Sequence, residues 1–320
     1  MVDKAMRTSR RGVLKGGSAI AGSAALGSLA GCLGSITGGG SASVTVGSKQ
    51  FTEQELLGSM SVQALEANVD ATINDKTSLG GTTTNFEALK AGDIDHYWEY
   101  TGTAWATLPP KHSEVITEPQ EIYDKVKSEF DEEYNIKLLD RAPFNNTYVL
   151  MARPKWAEKT GITTLSGLAK YVNNGNTDFT VVMDAEFAER EDGWPGLIEH
   201  YGFADGAGNL EIKNVGPALG YQILGKGEAD VGMGFNTNPK IVKWDLVVLD
   251  DDKKFFPVYN PAPMVKGETL DAVSGMEGPL NSIATSLDTE TIRGLNKRVS
   301  IDGEKAADVA GAFLSEIGVV

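Results

Sequence analysis

Cysteine is almost missing from this chain. Cys32 is the single one, so no internal disulfide and no CxxC metal or redox motif can form. Histidine is nearly as scarce: His96, His112 and His200 stand far apart and match no HExxH spacing, which removes the commonest zinc signatures. No GxSxG elbow occurs either. Basic residues are in deficit, 29 Lys plus Arg against 44 Asp plus Glu, for a formal charge of -15, a balance that disfavours nucleic acid. Five of the basic residues and one acidic residue lie in the first 31 positions, so the rest of the chain stands at -19. Hydrated carboxylates keep a protein soluble where salt strengthens apolar association, and the acidity is read as a halophile's.

Two weak motifs are set aside. Gly220-Tyr221-Gln222-Ile223-Leu224-Gly225-Lys226-Gly227 begins like a P-loop but lacks the Ser/Thr that would hold magnesium, and its apolar interior at helical spacing reads as a helix and turn. Asp250-Asp251-Asp252, before Lys253-Lys254, reads as a solvated loop rather than a metal site. Nothing here demands catalysis, a metal or a cofactor. The remaining enzyme reading is a secreted lipoprotein that uses acidic residues as general acid and base.

What is present begins with an address. Ser9-Arg10-Arg11-Gly12-Val13-Leu14-Lys15 resembles a twin-arginine export signal, and the small, apolar run Gly16 to Gly31 that follows is too short and Gly-rich for a stable bilayer span. It ends in Leu29-Ala30-Gly31-Cys32, which looks like a lipobox. Residues 1-31 are therefore expected to be removed, Cys32 to be lipidated, and residues 32-43 to form a Gly/Ser-rich tether with a reach of about 20 Å. That would hold the protein on the outer face of the cytoplasmic membrane by its lipid alone.

Downstream, strands alternate with helices, the grammar of an α/β fold with mostly parallel sheets. Ser43 to Gly47 reads as a strand, and Thr52-Glu53-Gln54-Glu55 fits a capping box before a helical apolar pattern. Thr84-Asn85-Phe86-Glu87 would cap a shorter helix ending at Gly92, with a strand from Ile94 to Trp98 after it. Thr147 to Ala152 and Phe179 to Met183 read as strands, and Asp288 to Lys297 and Glu304 to Ile317 as amphipathic helices.

Two stretches share a layout. ALKAGDIDHYWEY (88-100) and ILGKGEADVGMGF (223-235) each carry Gly-acid-apolar-Asp, then a strand, and an aromatic eight residues after the Gly: Tyr100 after Gly92 and Phe235 after Gly227. If this is a repeat, two lobes each set an aromatic past the carboxyl end of a strand, where open α/β sheets bind ligands. An exported, tethered, two-lobed α/β chain is most economically a solute-binding protein.

Separated motifs then make a specific resemblance. Gly47-Ser48-Lys49-Gln50-Phe51-Thr52-Glu53-Gln54, Leu79-Gly80-Gly81-Thr82, Glu99-Tyr100-Thr101-Gly102-Thr103, Phe144-Asn145-Asn146-Thr147-Tyr148, Glu186-Phe187 with Arg190, and Phe255-Phe256-Pro257-Val258-Tyr259 look like the binding proteins of ABC importers for glycine betaine, choline and related quaternary ammonium osmoprotectants. The resemblance spans Val44 to Val320. It implies the two-lobe, type II periplasmic-binding-protein-like fold, with residues 44-145 plus 259-320 in one lobe and 146-258 in the other, the ligand between them, an ABC permease as partner, and a monomer.

The resemblance maps an aromatic cage onto Tyr100, Tyr148, Phe235 and Tyr259, the first and third also found by spacing. A trimethylammonium group has no N-H to donate, so aromatic faces must hold it by cation-π attraction. By the same resemblance a carboxylate would be held by Lys49, Thr103 and Arg190, with Asn146 near the methyl groups. Trp98 stands where many relatives have Pro, and Phe235-Asn236-Thr237-Asn238-Pro239 replaces a more usual Tyr-Ser/Thr-Thr-Asp-Gly. Phe keeps a π face without a hydroxyl, which leaves the subtype open between a betaine and choline. Choline would leave Lys49 and Arg190 without an anion. The rival binding reading is another small anion or amino acid held by those cations with the aromatics as core. Asn145-Asn146-Thr147 is a formal glycosylation sequon that reads better as a site-lining turn.

Overall fold

A computed structural model describes residues 42-189 and 193-320. The leader, Cys32, the tether apart from its last two residues, and Arg190 lie outside these. Among the described residues no helix is long and apolar enough to cross a membrane.

Among the described residues ten strands form two sheets: β1 (Ala42–Lys49), β2 (Ala71–Gly80), β3 (His96–Tyr100), β4 (Ile136–Leu138), β5 (Tyr148–Ala152), β6 (Thr180–Met183), β7 (Glu211–Asn214), β8 (Val231–Phe235), β9 (Val247–Val248) and β10 (Pro261–Lys266). The orders are β2-β1-β3-β10-β4 and β7-β6-β8-β5-β9. In each, four of five strands run the same way and one antiparallel strand, β10 or β5, enters between them. The sheets are thus mixed, because the crossing strand must run against its neighbours after returning from the other sheet.

The shared sequence layout is a structural repeat. Gly92 and Gly227 both close helices in the left-handed region, at φ 79° and 77°, where a side chain would be strained. Asp95 then accepts from the Thr45 N-H at 2.8 Å and donates its own N-H to Thr45 O; Asp230 does the same with Thr180, at 3.1 Å through its carboxylate. Each Asp staples the start of its strand to the neighbouring parallel strand. Tyr100 pairs with Pro261, and Phe235 with Tyr148, at the equivalent ends.

Local details depart from expectation at helix starts. The first helix, Thr52–Asn68, has Phe51 as its N-cap and no side-chain cap, so Thr52 lies inside the helix and the capping box does not form. Glu55 accepts from the Ser78 hydroxyl instead. Helix Thr82–Ala91 has Gly81 as its N-cap, three residues ahead of the expected Thr84, and Asn85 donates back to Gly80 and Gly81 carbonyls. Thr101–Thr107 forms a short helix directly after β3. By contrast Asp288 caps Thr289–Ser300 through the Thr291 N-H at 2.7 Å. Residues 220 to 226 of the P-loop-like stretch lie in a helix, Pro217–Lys226, that Gly227 ends.

The apolar core divides among the faces of the two sheets. Tyr97 and Trp98 are wholly buried in it and Trp105 nearly so, stacked on His112. The C-terminal helices close on the first helix: Gln63 donates to Ala307 O and Asn68 to Val319 O. The aspartate run is more than a solvated loop, since Asp251 accepts from Tyr201 OH and from the Phe255 and Phe256 N-H groups, fixing the approach to Tyr259.

Candidate functional site

Strand ends and crossovers meet at one cleft. Its volume is about 530 Å³, and it is lined by Lys49, Gln50 and Phe51 at the end of β1, by Gly80, Gly81 and Thr82 at the end of β2, and by Tyr100, Gly102 and Thr103 at the end of β3. The second sheet contributes Tyr148 and Phe235, and the crossovers Asn146 and Tyr259. Seven of the eight sequence-nominated ligand residues therefore line one cavity; the eighth, Arg190, is outside the described residues.

The crossovers are laced together. Asn146 N-H donates to Tyr259 O, Tyr259 N-H to the Asn145 side chain at 2.7 Å, and Asn236 to Asn145 O. Tyr148 and Phe235, cross-strand partners, have ring centroids 5.1 Å apart. Phe235 is set by Tyr221, whose hydroxyl accepts its N-H at 2.7 Å. Gly102 has no room for a side chain: a Cβ would lie 2.5 Å from Val258 O and 2.8 Å from the Tyr259 ring. The Gly lets the Tyr259 ring approach.

Lys49 is less available than its sequence position implies. It is 6% exposed, ion-paired to the buried Glu99, and lies 5.1 Å from the Tyr100 ring centre. Its charge is compensated, although its remaining N-H groups can still donate. Glu99 also accepts from the Tyr100 N-H and the Tyr97 hydroxyl. The stronger anion-favouring feature is backbone. Three helices, Thr52–Asn68, Thr82–Ala91 and Thr101–Thr107, begin at the cavity wall without side-chain caps, and helix N-termini carry partial positive charge.

Two partners were missed from sequence. Phe51, 41% exposed, stacks near Tyr100 with an interplanar angle of 19°; its place between Lys49 and the helix start was the signal. Glu53 is 3% exposed and accepts from Tyr100 OH at 2.6 Å, Asn146 at 3.1 Å and Asn296 at 3.0 Å. Burial pushes its carboxyl above the usual range, while hydrogen bonds from Tyr100, Thr237, Asn296 and Asn146 pull it back. No local pattern marks it, because its donors come from distant segments.

An arrangement of aromatic walls, compensated charges and backbone dipoles can hold a small zwitterion or cation; no nucleophile paired with a base stands among the described lining residues, and no cluster of three or more metal-ligating side chains occurs among the described residues.

Residues 42-316 match the family model described as the substrate binding domain of ABC-type glycine betaine transport system. The chain is 33% identical over 274 residues to CosB of Halobacterium salinarum, a chemotactic signal transduction system substrate-binding protein, covering 83% of this chain and 81% of that one. It is 33% identical over 279 residues to the glycine betaine-binding protein YehZ of Escherichia coli, covering 86% and 90%. The solved apo structure of YehZ matches with a TM-score of 0.76 at 31% identity, over 87% of this chain and 99% of that one.

Proposed function

Because this chain belongs to the family of substrate-binding domains of ABC-type glycine betaine transport systems, we propose that it binds glycine betaine, or a closely related quaternary ammonium solute, in the cleft of Tyr100, Tyr148, Phe235 and Tyr259 and delivers it to a membrane permease for osmoprotection. The family binds and hands over solute; it performs no covalent chemistry. The observation that carries the ligand is the meeting of four aromatic side chains from two sheets and a crossover around one cavity. Each face in a dry site contributes roughly 0.5 to 2 kcal/mol toward a cation with no N-H.

In this reading the ligand carboxylate lies against the uncapped helix starts, with Thr103, Lys49 and Arg190 as donors, and Asn146 touches the polarised methyl groups. The lobes divide at residues 145 and 259, and ligand bridges them, so binding shifts the population to a closed form that the permease recognises. Cys32 carries the lipid after twin-arginine export, and the protein works as a tethered monomer in high salt.

Calorimetric titration of the mature domain at high salt, with glycine betaine, choline and a plain amino acid, tests the ligand. Betaine should bind, with Tyr100→Ala and Tyr259→Ala each weakening it by tenfold or more, on the order of 1.4 kcal/mol. Equal binding in both variants, or tighter binding of the amino acid, would sink the cage.

A second reading follows from the similarity to CosB: the closed form is presented to a chemotaxis transducer. Deleting the gene separates the two, since loss of betaine uptake marks the transport role and loss of betaine-directed swimming the sensory one.

A further inference from the structure

We propose that Glu53 sets the preference of this site for a cationic headgroup, its buried carboxylate acting through the Tyr100 hydroxyl to make the Tyr100 ring a more negative wall. The inference rests on the reading of the cavity as a quaternary ammonium site and names the residue that gives it charge selectivity.

Three observations carry it. The Tyr100 ring lines the cavity while its hydroxyl, at the far end, donates to Glu53 at 2.6 Å, a short charge-assisted bond. A carboxylate that accepts the phenol proton's hydrogen bond pushes electron density through the oxygen into the ring, and a cation on the ring face feels both the quadrupole and the nearby charge. Second, Glu53 is only 3% exposed and is in no ion pair among the described residues, whereas the neighbouring buried carboxylate, Glu99, has Lys49. A buried carboxylate without a cation is costly, and a ligand cation beyond Tyr100 offsets that cost. Third, the other donors hold Glu53 in place from separate segments: Asn146 from the crossover, and Asn296 from the helix Thr289–Ser300, which also donates to Thr237 O. Counting Lys49, Glu99 and Glu53, the described charges around Tyr100 sum to one negative. Burial raises the Glu53 carboxyl pKa, and the hydrogen bonds from Tyr100, Thr237, Asn296 and Asn146 act the other way, in favour of the charged form.

A merely architectural Glu53 would affect all ligands alike. The test therefore compares glycine betaine with 3,3-dimethylbutanoate, which has the same shape and carboxylate but a neutral carbon in place of the ammonium nitrogen. Both are titrated into wild type and Glu53→Gln by calorimetry, with ligand-detected NMR competition for weak affinities. Wild type should favour betaine, and the betaine-to-isostere affinity ratio should fall about tenfold in Glu53→Gln, almost all of it on the betaine side. If that variant does not fold, Tyr100→Phe keeps the ring and breaks the link, and the same ratio should fall about threefold. An unchanged ratio in the folded variant overturns the role of Glu53. Wild type that binds neither ligand overturns the underlying reading of the cavity instead.

Discussion

Gly102 shows how a single position can hold a binding wall in place. With a Cβ 2.5 Å from Val258 O and 2.8 Å from Tyr259, Gly102→Ala must displace that ring or the crossover backbone beside it. Overpacking of this kind costs about 1 to 3 kcal/mol, and we expect a lower denaturant midpoint together with betaine affinity reduced about tenfold. A full-strength titration in the variant would show that Tyr259 is not a wall. His96 gives a pH signature. It is buried, bonded through Nδ1 to Met264 O and through Nε2 to Ser61, and its pKa is lowered from 6.5 to about 4, chiefly by burial. The carbonyl can only accept, so Nδ1 carries the proton and Nε2 accepts from Ser61 in the neutral ring. Below pH 6.5 the unfolded chain takes up a proton that the folded chain refuses. Stability is present above that pH and lost as pH falls to about 4, by about 3 kcal/mol in all. Glu53 acts oppositely, since a raised carboxyl pKa gains stability on protonation. Denaturant melts at pH 7 and pH 5 should show uptake of about one proton on unfolding, and NMR should show His96 not titrating near pH 6.5.

At the scale of elements, the helix starts divide by role. Thr289–Ser300 and Leu165–Asn173 carry side-chain caps, Asp288 and Thr164, and Asp288→Ala should cost about 1 kcal/mol of stability without touching affinity. The three helices at the cleft do without side-chain caps, so the partial positive charge of their first turns faces the cavity unanswered by a side chain. The helix Thr289–Ser300 also reaches across to the loop after β8, where Arg293 donates to the Asn236 carbonyl and side chain. It joins elements of the two sheets, so Arg293→Ala should shift the balance between open and closed forms. Stopped-flow binding would register a changed association rate with the cage intact; an unchanged rate and affinity would remove the helix from the closure mechanism. The strand staples were half legible: Gly-acid-apolar-Asp could be read from the chain, but not that Asp95 and Asp230 bond Thr45 and Thr180.

For the whole molecule, the two sheets share one strand order and one crossing strand each, and the ligand cavity lies where their equivalent ends meet. Closure on betaine should lower the radius of gyration in solution scattering, and Tyr259→Ala should abolish the change. The sequence by itself determined the alternation of strands and helices and the eight-residue step from Gly to Tyr100 and to Phe235, because periodicity and glycine closure act over a few neighbouring residues. It did not determine that Lys49 would be matched to Glu99, 50 residues away, or Tyr100 to Glu53, 47 residues away. Those pairings are fixed by the register of parallel strands and by the helix that follows β1, and no local pattern encodes a distance set by the packing of separate segments. Tertiary structure alone decided which charges in the cleft are already answered and which carboxylate stands behind Tyr100.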